Sequence, residues 1–379
     1  HWVRLCLEDG GIIAKAVWAM DSTPMWCYGA VLDTVRLLGD GVRALALKWA
    51  RLTRTKVEAL AVSWDLPLLT APSTKGAFRV DWHDSEARAT VITEIATKVL
   101  HVVDVIRHRL REVHSGKRKW FLKRCRHLLK VISNDLETDE AGNLVVARRV
   151  ARDRLISMTD PHARHGRKSK SGTFNGFKAH VFGDVVSGLI ASVAVTVGNK
   201  HDGAVAHRLV RRAKDLCRHI DLVLADTAYS GAQLRHLLRG ATNVDVIAPP
   251  PPRTALRDGK LGRSDIEIDF SSNTATCAAG VQTSRSTVSW STDYDAHFRI
   301  YKWPKEACDR CSRQKACRGK QTGGHRVALH PFEEELRAAR RQWNTLGVRD
   351  IYRARSQCER LVNQITRHGG RRARAWGSG

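Results

Sequence analysis

Residues 221–226, DLVLAD, constrain the fold more than any other stretch of this 379-residue chain. They read as a short, buried apolar strand that ends on a carboxylate, Asp226. A helical pattern over 203–218 precedes it. A second helix follows the Thr-Ala-Tyr-Ser-Gly turn, and a further strand, 244–248, runs into the prolines 249–252. Such alternation points to the α/β class. Residues 12–23 (IIAKAVWAMDST) read as another strand ending on an acid, Asp21, with Pro24 stopping it. Residues 178–181 and 189–197 flank turn signals at Gly183-Asp184 and Ser187-Gly188, the pattern of a hairpin.

Between these strands the texture changes. From about 31 to 132, segments such as 91–113 and 117–132 repeat apolar residues every three or four positions, with basic residues between. This is an all-α block, divided by turn signals at Asp65-Leu66-Pro67 and Ala71-Pro72-Ser73. Residues 253–330 alternate as in DIEIDF, are rich in Ser and Thr, and hold a cysteine cluster, so they read as a small β-rich insertion. The expected organisation is a first catalytic strand in 1–30, a helical insertion in 31–142, a core in 143–252, the β-rich insertion in 253–330, and a helix with a basic tail in 331–379.

Charge narrows the partners. The 64 Lys and Arg outnumber 38 Asp and Glu, leaving +26 with His neutral, and a chain this basic usually meets a polyanion. The charge is spread along the whole length, which favours nucleic acid over a membrane surface. No run of 18 uncharged apolar residues is present. Arg4, Glu8, Asp9 and Lys15 interrupt the start, so no secretory signal is read. Nine cysteines, five of them isolated, indicate a reducing cytosol. The chain opens on His1, which reads as a fragment without an upstream segment.

Near the other end, Tyr352-x-x-Arg355-x-x-x-Glu359 places a phenol, a guanidinium and a carboxylate on one face of an α-helix. Taken alone, such a face is most often solvated, and a strand-end Asp is most often a turn or helix cap. Together, Asp21, Asp226 and Glu359 suit two hard divalent cations, which prefer carboxylate oxygens and leave positions open for water and phosphate. Asp160, in Ser-Met-Thr-Asp-Pro, competes with Asp21 for the first place, but it precedes Pro161 in a loop.

These stretches resemble a bacterial insertion-sequence transposase of the DDE type. The resemblance is carried by Met20-Asp21-Ser22-Thr23, by Leu224-Ala225-Asp226-Thr227-Ala228-Tyr229 and by the Tyr352–Arg355–Glu359 signature. Arg164-His165-Gly166-Arg167-Lys168-Ser169, Gly176-Phe177-Lys178-Ala179-His180 and Gly198-Asn199-Lys200-His201-Asp202 add to it, in the expected order. The resemblance implies an RNase H-like mixed sheet with flanking helices, an all-α insertion after the first strand and a β-rich, Cys-containing insertion before the last catalytic helix. It implies Asp21, Asp226 and Glu359 as catalytic ligands of Mg²⁺ or Mn²⁺, and double-stranded DNA, both transposon ends and target, as partner. A homodimer at work and a cytoplasmic, nucleoid-associated location follow. The signature's lysine seven residues past the glutamate is replaced by Thr366, with Arg367 beside it. Only 20 residues precede Asp21, so an inactive or domesticated DNA-binding descendant is the alternative reading.

The remaining candidates are assigned by type. Tyr352, Arg355, Arg164, Arg167, Lys168, Lys170, Lys178, Arg367, Arg371 and Arg372 are DNA-contact candidates, although charge runs are usually solvated loops. His180 shares a strand face with Lys178, and a lone strand His is most often a core or surface residue. His201-Asp202 reads as a helix start. Cys277 with Cys308-x-x-Cys311-x-x-x-x-x-Cys317 supplies four thiols for a tetrahedral structural Zn²⁺; reduced structural cysteines are the alternative.

Overall fold

The computed structural model describes residues 16–140, 142, 144–169, 171–217, 219–251, 261–318 and 323–373. The chain divides into two compact units built from separated segments. Among the described residues the first takes 16–21, 180–194 and 201–364, and the second takes 22–179, 195–200 and 365–373. Lys170 and Pro252 lie outside the described residues. Among the described residues no helix is long and apolar enough to cross a membrane.

Strand β1 (Trp18–Trp26) runs through both Asp21 and Pro24, so the proline does not stop it. The reason is local. Pairing with the neighbouring strand on one side is registered at Ala19 with Leu224, before the proline, so the missing N–H of Pro24 breaks no bond there. Farther along, the Cys27 N–H donates to the Asn175 carbonyl at 3.0 Å.

In the second unit four helices follow: α1 (Thr34–Thr53), α2 (Val57–Ser63), α3 (Ser85–Arg109) and α4 (Ser115–Asp135). Asp33 starts α1 by accepting the Arg36 N–H at 2.9 Å, and Asp84 starts α3 by accepting the Glu86 N–H at 2.9 Å. The face of α1 that carries Val35, Leu38, Val42, Leu45 and Trp49 is buried, at three- and four-residue steps. Phe121 and Leu128 of α4 belong to the same core, and the Trp49 and Phe121 rings meet edge-on at 5.5 Å. Asp135 ends α4 buried, accepting from Arg154 Nε and Nη2, each at 2.8 Å, and from the Thr34 hydroxyl at 2.7 Å. A hairpin of β2 (Leu136–Thr138) and β3 (Leu144–Val146) closes this block.

Strand β4 (Arg164–Arg167) lies antiparallel to β5 (Thr173–Asp184), and β6 (Ile190–Val197) pairs with β5. Gly176 in β5 has φ +147°, and an added Cβ would sit 2.3 Å from the Met25 carbonyl oxygen. Only glycine allows that close approach to β1.

The first unit continues with α5 (Ala206–Leu216), β7 (Leu222–Leu224), α6 (Ala232–Thr242) and β8 (Asp245–Ile247). β1 is parallel to β7, and β7 is parallel to β8. The sheet order is β4-β5-β1-β7-β8, a mixed sheet in an α/β fold. Trp18, Met20, Phe182, Leu209, Val223, Tyr229 and Leu238 share one buried cluster, in which the Trp18 and Phe182 rings stack at 5.6 Å. Two small sheets follow, β9 (Glu267–Asp269), β10 (Thr274–Thr276) and β11 (Gln282–Thr283), then β12 (Ser286–Ser291), β13 (Ala296–Lys302) and β14 (Arg326–Ala328). Short helices α7 (Lys305–Asp309) and α8 (Gln314–Arg318) lie between β13 and β14, and α9 (Glu333–Asn344), α10 (Val348–Arg353) and α11 (Cys358–Ile365) come last.

His127 on α4 ties this fold to pH. Burial first, then the charges of Arg124 and Lys123, push its pKa down from 6.5 to about 4, and its Nδ1 is buried without a hydrogen-bond partner among the described residues. Between these values the unfolded chain binds a proton that the folded unit refuses. Stability is therefore present above about pH 6.5 and is lost as pH falls toward about 4. Urea midpoints followed over that window should decline in the wild type and decline less in His127→Leu; parallel curves would refute the assignment.

Candidate active site

Asp21 and Asp226 end up together because β1 and β7 run parallel as neighbours and each carries its acid just past the register point Ala19–Leu224. Asp226 also caps the turn that follows it, accepting the Ala228 N–H at 2.9 Å through Oδ1. Its Oδ2 stays directed elsewhere. The Arg355 Nη2 lies 3.0 Å from Asp21 Oδ2 and 3.7 Å from Asp226 Oδ2, so one guanidinium bridges the two strand ends. Burial alone would lower the Arg355 pKa; the two carboxylates outweigh it and the net shift is upward. Arg355 Nε is buried with no hydrogen-bond partner among the described residues, leaving one donor of the fork unused.

Tyr352 stands beside this bridge. Its ring packs edge-on against Trp343 at 4.9 Å, and burial first, with Asp226 and Asp21 adding, raises its pKa despite Arg355. Glu359 is exposed and makes no ion pair with the bridge. Its neighbour Cys358 takes the inward place instead: it is fully buried, and its thiol is pushed up to about 12 by burial and then by Asp21.

The helix between them explains this. The single α-helix expected over 352–359 is broken into α10, a 3₁₀ turn over Ala354–Gln357, and α11. In a 3₁₀ turn residues three apart eclipse one another. Tyr352, Arg355 and Cys358 therefore line up, whereas continuous α-helix would have brought the residue four past Arg355, Glu359, to that face. Among the described residues no group of three or more His, Cys, Asp and Glu is arranged to hold a metal ion. The two aspartates share one cationic group, Arg355, which takes up the negative charge that they present together.

Sequence reading missed a second arginine. Arg235 on α6 is buried, and burial drops its pKa to about 10. It donates to the carbonyls of Ser230 at 3.1 Å, Val246 at 2.5 Å and Ala248 at 3.0 Å. It thereby pins the turn after Asp226 to the end of β8. Tyr229, in that turn, is fully buried, and its hydroxyl meets His180 Nδ1 at 3.3 Å.

The other candidates are dispersed. Asp160 is fully buried in the second unit, with its N–H donating to the Ser157 hydroxyl at 3.2 Å. Arg164 spends one nitrogen on the Pro161 and Ala163 carbonyls, both at 2.7 Å. Lys178 donates to the Lys200 carbonyl at 3.0 Å. Arg167, Lys168, Arg367, Arg371 and Arg372 are exposed, and Lys170 lies outside the described residues. The His201 Nδ1 accepts the Gly203 N–H at 3.2 Å, starting a short 3₁₀ turn.

In the β-rich segment Cys277, Cys308, Cys311 and Cys317 line one cavity of about 30 Å³, together with Trp303 and His325. The Arg313 N–H donates to Cys311 Sγ at 3.4 Å and the His325 N–H to Cys308 Sγ at 3.3 Å. Burial, then Cys311, Cys277 and Cys308, raise the Cys317 pKa. The four thiols surround one cavity without the tight grouping of a coordination shell.

A family model described as a transposase DDE domain matches residues 151–377. That span takes in Asp160, Asp226, Arg355 and Glu359 and begins after Asp21. No curated protein and no solved structure shows significant similarity to the chain.

The bridge is open to direct test. Arg355→Ala leaves two facing carboxylates without their countercharge, and the unfolding free energy should drop by about 1–3 kcal/mol, between the values for exposed and buried pairs. An unchanged urea midpoint would mean that the bridge does not form in solution.

Proposed function

The chain belongs to the DDE transposase family, whose domain covers well over half of it, and on that premise we propose that it cuts transposon-end DNA and transfers the strand to target DNA by in-line phosphoryl transfer. The observation that carries this reading is the pairing of Asp21 and Asp226 at adjacent parallel strand ends around one shared cationic group. Asp21 is preferred to Asp160 as the first acid because it meets Asp226 through Arg355, whereas Asp160 is buried in the other unit.

Asp21 and Asp226 would hold divalent ions, Mg²⁺ or Mn²⁺, by their carboxylate oxygens, with Glu359 as the third acid. Such ions, when bound, polarise the scissile phosphate and lower the pKa of the attacking hydroxyl. Recruiting Glu359 requires the turn at Ala354–Gln357 to relax from 3₁₀ to α, which rotates Cys358 off the inward face and Glu359 onto it. The same change frees Arg355 from the carboxylates. Its fork, with a donor already unused, then suits a phosphate oxygen of the DNA backbone. Tyr352 packs beside it and keeps the guanidinium directed. Exposed Arg167, Lys168, Arg367, Arg371 and Arg372 fit phosphate contacts that position the duplex without reading sequence. Joining two ends calls for a homodimer, working in the cytoplasm on nucleoid DNA.

The cysteine cavity fits a structural role for Zn²⁺ by its donor set, four thiols of which two already accept backbone N–H groups. Purified protein should release about one zinc per chain to a thiol-modifying reagent if the ion closes that cavity; metal-free protein with unchanged stability would leave the cysteines as packing residues.

Asp226→Asn provides the decisive comparison. It should keep the fold and the affinity for duplex, yet cut end DNA in Mn²⁺ at less than about a hundredth of the wild-type rate. Equal rates would refute the assignment. Tight binding by the wild type with no nicking at all would favour the DNA-binding relic, a reading to which the outward Glu359 lends weight.

A further inference from the structure

The outward face of α1 and α4 in the second unit has no part in the chemistry above. On α1, Ala44, Leu47, Lys48 and Arg51 follow one another at helical steps; on α4, Lys117 and Trp120 face the same space. They line an open cleft of about 620 Å³ in which every ionisable side chain is basic. The Lys48 ammonium lies 4.2 Å from the centre of the Trp120 ring, and the Arg124 guanidinium 5.4 Å from it, so two cations are held against one indole.

Before Asp135, α4 carries no acid of its own to offset its basic residues, and Lys130 is paired outside the helix, with Asp153. Lys117, Arg118, Lys119, Lys123, Arg124, Arg126 and Lys130 precede its first acid, Asp135, which is itself buried and taken by Arg154 and Thr34. Surface helices ordinarily intersperse acids that pair at four-residue steps. A helix of 21 residues is roughly 30 Å long, close to one turn of duplex DNA. We propose that this α1–α4 face docks the phosphate backbone of double-stranded DNA, with Lys48, Arg51 and Lys117 as the phosphate contacts and Trp120 as the plate that holds Lys48 in place. The proposal rests on the chain acting on DNA and adds a surface carried entirely by the helical block.

Binding of a fluorescent duplex of arbitrary sequence, titrated at several salt concentrations, tests it in the full chain. Lys48→Ala/Arg51→Ala/Lys117→Ala should reduce the slope of log K against log salt by about two to three units and weaken binding about 10–100-fold near physiological salt. All three side chains are exposed, so the fold should persist. A second variant, Lys117→Gln/Lys119→Gln/Lys123→Gln, removes charge from α4 alone and should act in the same direction. The charge-matched control Arg208→Ala/Arg211→Ala/Arg212→Ala, exposed on α5, should lose less than half as much. Equal losses in cleft and control variants, or no loss in either cleft variant, would overturn the proposal. So would displacement of the duplex by polyglutamate as effectively as by unlabelled duplex, which would mark the face as a dock for acidic protein. If the wild type never cuts DNA but the cleft variants still bind weakly, the surface stands and the transposase reading falls.

Discussion

Carboxylates that end neighbouring strands repel one another, by about 4 kcal/mol for charges 4 Å apart in a medium of effective dielectric constant about 20. A fold that places Asp21 and Asp226 on adjoining parallel strands must answer that repulsion. Arg355 does so from a helix more than a hundred residues farther along the chain. Arg235 does complementary work from the other side by fixing the carbonyls around the Asp226 turn. With both in place the two acids share one built-in cation and a fixed turn.

How much of this was legible in the sequence varied with how local the deciding physics is. DLVLAD announced a buried strand ending on an acid because four apolar residues and a terminal carboxylate are a complete local statement. Pro24 reads as a stop in the sequence and is not one in the strand. A proline's tolerance depends on whether its missing N–H was wanted by a neighbour, and the neighbour's length is not written nearby. The Tyr352–Glu359 face failed differently. Spacings of three and four fit both α and 3₁₀ helices over so few residues, and the choice between them decides whether Cys358 or Glu359 points inward.

Two features were invisible for the same reason. Arg235 looks like any other arginine on an amphipathic helix, since its partners are main-chain carbonyls that carry no sequence signature. The pairing of Lys48 with Trp120 joins residues 72 positions apart and exists only once α1 lies against α4. The helical pattern of 31–132 predicted the helices but not which outward stripes would adjoin. The two-residue gap sets how the Cys308 and Cys311 sulfurs face, but nothing in the spacing says that Cys277 and Cys317 line the same cavity.

The division of the chain into interleaved segments has a temporal meaning. The first unit draws on 16–21, 180–194 and 201–364, so Asp21 leaves the ribosome long before Asp226 and Arg355 exist to receive it. Synthesis at about 5–20 residues per second would keep that acid waiting for tens of seconds, while the helical block, whose contacts are close in sequence, can already pack. The two carboxylates and their arginine therefore assemble last. A ribosome-bound chain cannot bring the two acids and their arginine together until translation has passed the turn that holds Arg355.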